Sequence, residues 1–435
     1  MYCAYITTLK GIRMHSNADR LQCVEVFGQN VIVDLSYKEG QKVVFFPADG
    51  QLSVEFANDN NLVRKKDENG NNVGGYLDPN KRNITALKLR GEKSEGLVLP
   101  INVLSKYTDI SKLNDGDQIT ILNGHEICKK YIPHSNLNSR SCNNRNNKHK
   151  KNNLKEVVKY PFFDEHIDTS QLDYNLNAFK EGDIVYLTRK LHGTSQRTAN
   201  TIQTVTKKRN KLLQMLGFKN AQTYSYHLIS GTRRTILKKF DGGYYGNDEF
   251  RKKYHDFFDG KLPKGMEIFY EVVGYVNEDK PIMSKCSNKL VKDKEFEKMY
   301  GKETIFSYGC KPGENDMYVY RITMTNEDGV VIELPTEETK MWCERFGCKF
   351  VPILDKFIFT TIEDLNTRVN KWLDIPDEID SRHVCEGVVA RIDNRTKFTA
   401  FKRKSFAFKV LEGIIKDTSD APDMEEAEEL INEQI

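Results

Sequence analysis

The sequence predicts a small all-β barrel followed by a larger α+β domain. Three observations carry that expectation. Short runs of β-branched and aromatic residues crowd positions 1–130, strand-like and helix-like segments alternate over 159–413, and an Asn-rich basic stretch lies between them. With 435 residues, 38% hydrophobic and 10% aromatic, the chain can build two packed cores and is too apolar for wholesale disorder.

In the first region the runs 21–27 (LQCVEVF), 31–35 and 42–46 (KVVFF) are separated by turn-forming residues at 28–30, 38–40 and 47–50. The runs 84–89, 96–99 and 118–122 follow. Five or so strands in so short a span fit a Greek-key barrel of the OB-fold type, with an SH3-like barrel as the nearest alternative. Residues 131–158 form a linker around the low-complexity run 135–153, which cannot bury a core. The α+β region has strand candidates at 184–187, 266–273, 317–324 and 384–392, and helix candidates at 206–216, 247–258, 336–346 and 361–372. Residues 414–435 read as an acidic tail.

The net charge of +4 conceals a strong asymmetry. Positions 128–159 hold nine Lys/Arg against one Glu, positions 201–240 hold nine against no carboxylate, and positions 417–435 hold eight carboxylates with no Lys or Arg. Two basic zones on an otherwise acidic body point to a polyanionic partner. No run approaches the roughly 18 uncharged apolar residues of a membrane helix, and the N-terminus lacks a secretory pattern. A soluble, cytoplasmic protein is expected. Its nine cysteines are scattered with no CxxC pair, which fits reduced thiols and implies neither a disulfide framework nor structural zinc.

Four segments carry chemistry. The first is Lys190-Leu191-His192-Gly193-Thr194-Ser195, with Arg197 two residues on, directly after a strand. A lysine leaving a buried strand can have its amine pKa lowered and be aimed at an electrophile, and a following glycine lets backbone approach a nucleotide closely. A surface lysine before an ordinary turn is the plainer alternative. The second is Glu267-Ile268-Phe269-Tyr270-Glu271-Val272-Val273-Gly274, where alternation puts Glu267, Phe269, Glu271 and Val273 on one face. A carboxylate amid apolar neighbours requires a ligand, a metal or a salt-bridge partner. The third, His383 to Arg391, sets Glu386 in an apolar strand before Gly387. In the fourth, Phe401-Lys402-Arg403-Lys404-Ser405, alternation puts Lys402 and Lys404 on one face, suited to phosphates or simply to solvent.

In this order the four segments resemble motifs I, III, IV and V of the covalent nucleotidyltransferases, the superfamily of polynucleotide ligases and mRNA capping enzymes. Met317-Tyr318-Val319-Tyr320-Arg321-Ile322 resembles motif IIIa, whose aromatic residue stacks on the base; Tyr320 is the first choice and Tyr318 the reserve, with core packing open for both. His192 stands where most members have Asp, and this variant is similar to the RNA ligase 2 type of bacteriophage and the trypanosome editing ligases. Ser195 departs from the Asn frequent in that branch. Ser230-Gly231-Thr232-Arg233-Arg234 resembles motif Ia. The barrel ahead of the transferase domain, with Phe163-Asp164-Glu165-His166-Ile167-Asp168-Thr169 upstream of the lysine, resembles the Deinococcus/Naegleria-type RNA ligases. His15 to Leu21 resembles the start of tRNA-binding OB domains.

The resemblance implies an α+β nucleotidyltransferase (ligase) domain at 159–413, preceded by an all-β OB-fold barrel. It implies an ATP-dependent RNA ligase joining 3′-OH and 5′-phosphate ends, working as a monomer on RNA, including nicked duplex, away from membranes. Lys190 would be the nucleophile that becomes lysyl-AMP, with Lys402 and Lys404 completing the catalytic set. His192, Gly193, Arg197, Glu271, Tyr320 and Glu386 would bind nucleotide. Glu386 would also hold Mg²⁺ (or Mn²⁺), and Arg233 and Arg234 would touch the nucleic acid. A DNA ligase, a capping-type transferase and a non-catalytic tRNA/RNA-binding OB protein remain the alternatives.

Overall fold

Hairpin turns organise the N-terminal strands. Leu21–Val26 and Gln29–Asp34 pair antiparallel across Phe27 (φ 50°) and Gly28 (φ 74°). Two positive φ values in a two-residue loop give a twist that matches the strands. The turn therefore falls one residue earlier than the sequence predicts, and Gln29 and Asn30 belong to the strand. The computed structural model describes residues 2–70, 72–133, 156–164, 166, 168–207, 221–237, 239–240, 245 and 248–418. The Asn-rich run 135–153, the tail beyond 418 and most of the expected helix at 206–216 lie outside these residues. The first two positions of that expected helix, Thr206 and Lys207, are strand.

The chain divides into two compact units: residues 1–133 with the helix Phe406–Thr418, and the rest. The sequence boundary at 413 cuts through that helix. In the first unit, an antiparallel sheet runs in the order Gly96–Pro100, Lys42–Pro47, Ala4–Thr8, Gln118–Ile119. The centre of Lys42–Pro47 is buried on both faces, which is why it reads as a continuous apolar run. Lys10–Met14, Leu21–Val26 and Gln29–Asp34 form a second sheet, and Cys128–Lys130, Gly50–Leu52 and Asn83–Ile84 a third. The unit is thus predominantly β, in separate sheets; among the described residues none closes on itself. Ile6, Val44, Phe46, Leu52, Phe56 and Leu104 fill its core. The short helix Val54–Asp59, capped by the Ser53 hydroxyl accepting from the Phe56 N–H, has no counterpart among the helices expected from sequence.

The second unit has two large sheets. A seven-stranded sheet is built around Thr194–Lys207, Met266–Gly274 and Asn315–Thr325, with Ala221–Gly231 pairing the first of these. A five-stranded sheet runs in the order Ser170–Gln171, Thr399–Lys404, Gly387–Ile392, Ile184–Lys190, Ile353–Ile358. The helix Glu249–Phe258 buries Tyr254 and Phe258 in the same core as Ile268, Tyr270 and Val272 of the first sheet. Ile362–Asn370 buries Leu365 and Val369 with Val185, Leu187 and Val388 of the second. Its start is fixed by Thr361, whose hydroxyl accepts from the Asp364 N–H. Thr336–Phe346 matches the expected helix and ends at Gly347 (φ 74°). The architecture is a mixed α/β fold. No helix among the described residues is long and apolar enough to cross a membrane, and the described cysteines are free.

Candidate active site

The five-stranded sheet brings three motifs to one level. Lys190 is the last residue of its strand and pairs with Gly387, which in turn pairs with Lys404 on the next strand. The strand thus extends three residues beyond the expected end at Leu187. Glu386 precedes its strand, which begins at Gly387, rather than lying inside it. That strand cannot tolerate a side chain at Gly387: a Cβ there would come within 2.2 Å of the Arg403 carbonyl oxygen. In the other sheet, Thr194 and Ser195 pair with Val272 and Glu271. Gly193 makes that approach possible, since a Cβ there would lie 2.4 Å from the Val272 carbonyl oxygen. From sequence Gly193 is expected to let backbone approach a nucleotide; in the structure Gly193 and Gly387 both let backbone meet backbone.

The Lys190 ammonium lies 2.7 Å from Glu386 Oε1, and the Glu386 side chain is only 2% exposed. Burial works to lower the lysine pKa, but the carboxylates of Glu386, Glu271 and Asp168 outweigh it and hold the amine above the ordinary lysine range. The pKa of a lysine in this position can be lowered; here the three carboxylates raise it instead, so without ligand the amine is held protonated. Glu386 Oε2 is buried with no hydrogen-bond partner among the described residues. An orphaned carboxylate oxygen of this kind suits a hydrated divalent cation, which needs only one or two protein carboxylates. No group of three or more His, Cys, Asp or Glu among the described residues forms a closed metal cage.

Lys402 donates to Asp168 Oδ2 at 2.5 Å, and Arg233 lies 3.6 Å from the same oxygen. Desolvation opposes the charge on Asp168, but Lys402 and Arg233 prevail and hold it well below the usual carboxylate range. Lys402 itself is pushed down by burial and by the charges of Lys190 and Lys404, against the pull of Asp168. Lys402 therefore senses the charge of both other lysines. Arg234 is exposed, on the turn that follows Gly231.

His192 donates its backbone N–H to the Tyr308 hydroxyl at 2.7 Å, and its ring stands edge-on to Phe306 at 4.9 Å. Tyr320 occupies an irregularity in the pairing of Asn315–Thr325 with Met266–Gly274, where Phe269 faces Arg321 and Tyr270 faces Val319. Such bulges re-aim a side chain. Its hydroxyl lies 3.4 Å from Ser195 Oγ and 3.3 Å from His166 Nε2. The reserve candidate Tyr318 is buried in the sheet. Arg321 donates to His166 Nδ1 at 3.2 Å. Burial, then the charges of Arg321, Arg233 and Arg197, push the imidazole down to about 3, so it is neutral. Arg197 is buried: it donates to Glu267 Oε1 at 2.9 Å and to the Thr232 carbonyl at 3.0 Å, and it lies over the Phe163 ring at 3.8 Å. Its guanidinium braces the segment carrying Arg233.

The segment upstream of the lysine supplies two groups to which sequence reasoning gives no role, His166 and Asp168. Their signal is the resemblance of 163–169 as a block. Phe306 and Tyr308, by contrast, lie in a loop with no motif, and nothing in the sequence marks them.

A model of the RNA ligase family matches residues 183–411, more than half of the chain. No curated protein matches. Among solved structures, a mutant of Naegleria gruberi RNA ligase with ATP and Mn is similar over 96% of this chain and 99% of that one, with TM-score 0.56 and 18% identity. Another mutant of the same enzyme, with AMP and Mn, gives TM-score 0.56 at 17% identity over 93% and 97%. The same ligase with PPi gives 0.54 at 17% identity over 96% and 99%. At these identities the structures speak for the fold. The family match spans the lysine strand, both carboxylate segments and the paired lysines, and this chain belongs to the RNA ligase family.

Proposed function

We propose that the chain is an ATP-dependent RNA ligase that joins a 3′-OH to a 5′-phosphate, with Lys190 as the covalent nucleophile. The supporting observation is the Lys190–Glu386 pair, 2.7 Å apart, with Lys404 in register beside it. The Naegleria ligase structures with ATP, AMP and PPi favour the same nucleotide chemistry.

The Lys190 amine, once deprotonated, attacks the ATP α-phosphorus; a P–N bond forms and the P–O bond to pyrophosphate breaks. The RNA 5′-phosphate then displaces the lysine and takes the AMP through a new P–O–P linkage. Finally the 3′-OH attacks the RNA 5′-phosphorus and AMP leaves, giving a phosphodiester. Lys402 and Lys404 stabilise the charge that develops on the phosphoryl oxygens. Glu271, with Ser195 opposite it and Tyr320 within reach of Ser195, lines the nucleoside side, Tyr320 stacking on the base. His192 and Gly193 shape the turn next to the phosphates. Glu386, through its unpartnered Oε2, would hold Mg²⁺ or Mn²⁺, whose charge would compete for that carboxylate and favour the neutral lysine. Arg197 acts through Thr232 and Glu267 by bracing the turn that presents Arg233 and Arg234 to the RNA backbone. The N-terminal β unit grips RNA in the manner of an OB module.

Incubation with Mg²⁺ and α-labelled ATP tests this reading: a covalent, acid-labile AMP adduct that Lys190→Ala abolishes supports it. A GMP adduct formed from GTP would point to capping, and sealing of DNA in preference to RNA nicks would point to a DNA ligase. No adduct from either nucleotide would remove the enzyme reading.

A further inference from the structure

Three features of Tyr308 point to one role. Tyr308 is an aromatic residue in left-handed backbone, φ 49°, a conformation that persists only where the surroundings enforce it. The residue is 3% exposed. Its hydroxyl accepts the N–H of His192, two residues beyond the nucleophile.

The enforcement is visible on both sides of the residue. Asp380 Oδ2 accepts from the Ser307 hydroxyl and from the Gly309 N–H, each at 3.0 Å, pinning the residues that flank Tyr308. Arg382 donates to Asp380 at 2.7 Å and to Ser307 Oγ at 3.0 Å, closing the clamp. The fully buried His383 ring lies 4.7 Å from Tyr308 and 5.0 Å from Phe306. Phe306 in turn meets the His192 ring. The clamp thus joins the loop 305–310 and the segment 380–383, three residues before Glu386, to the turn that follows Lys190. A strained residue held from two sides, with its one polar atom spent on the nucleophile's turn, is built to fix that turn in place.

We infer that Tyr308 is a positioning residue for the nucleophile turn, fixing the backbone at His192 so that the Lys190 amine is aimed at the α-phosphorus. This rests on the ligase reading and goes beyond it, because Tyr308 belongs to none of the motifs that carry that reading. The steps of the reaction then respond differently. Attack on ATP needs Lys190 to be aimed; closure of an RNA end that already carries AMP does not use the lysine as nucleophile. Loss of the Tyr308 hydroxyl should therefore slow the first step and spare the last.

The test uses the full chain and Tyr308→Phe, which keeps the ring and removes the oxygen. Lysine adenylylation is timed over a range of ATP concentrations with Mg²⁺, and sealing is timed on a nicked RNA duplex with a chemically pre-adenylylated 5′ end. Loss of one buried hydrogen bond predicts about a tenfold fall in the adenylylation rate at saturating ATP. The half-saturating ATP concentration should stay the same, and the pre-adenylylated nick should be sealed within about twofold of wild type, which also reports that the variant is folded. Equal loss in both reactions would make Tyr308 a fold residue only and overturn the inference, as would no loss in either. Failure of the wild-type chain to form any adduct would instead sink the ligase reading.

Discussion

Removing the Lys190 side chain should destabilise the protein as well as silence it, and the size of that effect can be worked from the site. Glu386 is 2% exposed and its nearest cation is the Lys190 ammonium at 2.7 Å. Lys190→Ala leaves that carboxylate buried without its partner. Removing one member of a buried ion pair costs about 3–5 kcal/mol. Because the lysine is 24% exposed, water can replace part of the missing interaction, so about 2–3 kcal/mol is the expected cost. For a unit of this size that is roughly 5–10 °C in Tm. The neutral pair Lys190→Met with Glu386→Gln should recover most of the loss, since it leaves no stranded charge. The raised lysine pKa fixes the pH window: its stabilisation is fully present below the unfolded value, about 10.4, and is lost only as pH rises through the higher folded value. Melting curves of wild type, the alanine variant and the double variant between pH 7 and 10 should therefore keep a constant spacing. A Lys190→Ala variant that melts with wild type at pH 7, or a double variant worse than the sum of its parts, would refute the coupling described here.

Asp168→Asn should raise RNA affinity and steepen its salt dependence, because Lys402 and Arg233 are both released from that carboxylate. Neutralising Arg233 and Arg234 should do the opposite, lowering the slope of log K against log salt by roughly one for each phosphate left without its cation; filter binding at several salt concentrations reads both. Asp168 also predicts an acid-side effect: its pKa is lowered on folding, so its contribution is present above the unfolded carboxylate value and is lost as pH falls below about 4. Asp168→Asn should lose that acid-side sensitivity in urea melts. Gly387→Ala should be among the most damaging single changes, since its Cβ would meet the Arg403 carbonyl at 2.2 Å and the Lys404 Cα at 2.8 Å. Separating those strands should cost about 1–3 kcal/mol and reduce adenylylation more than a surface alanine would.

What the sequence revealed was uneven, for physical reasons. Strands buried on both faces, such as Met266–Gly274 and Ile184–Lys190, are written mostly in apolar residues, and Glu271 and Lys190, two of the charged residues in them, are motif residues. Thr361 and Gly347 mark helix ends through local hydrogen bonding and left-handed backbone, so those boundaries could be read within a residue. The Phe27-Gly28 turn was misplaced because Phe27 has a strand former's side chain in a turn conformation. The site was legible where chemistry sits next to a glycine. It was opaque where position depends on long-range closure: the helix Phe406–Thr418 belongs with the N-terminal unit, and Tyr308 reaches His192 across 116 residues. The upward pull on the Lys190 amine was only partly legible for a related reason. Burial can be guessed from a strand pattern and the motifs bring Glu271 and Glu386 to the lysine, but Asp168, the third carboxylate beside it, carries no motif role.

The central claim is that Lys190 carries AMP as a covalent intermediate. Intact-protein and peptide mass spectrometry after incubation with ATP and Mg²⁺ tests it most directly. One AMP per chain is expected, located on the peptide containing Lys190 and lost when 5′-phosphorylated nicked RNA is added and sealed. A folded wild-type protein that acquires no AMP, or that carries it on a different residue, would contradict the account.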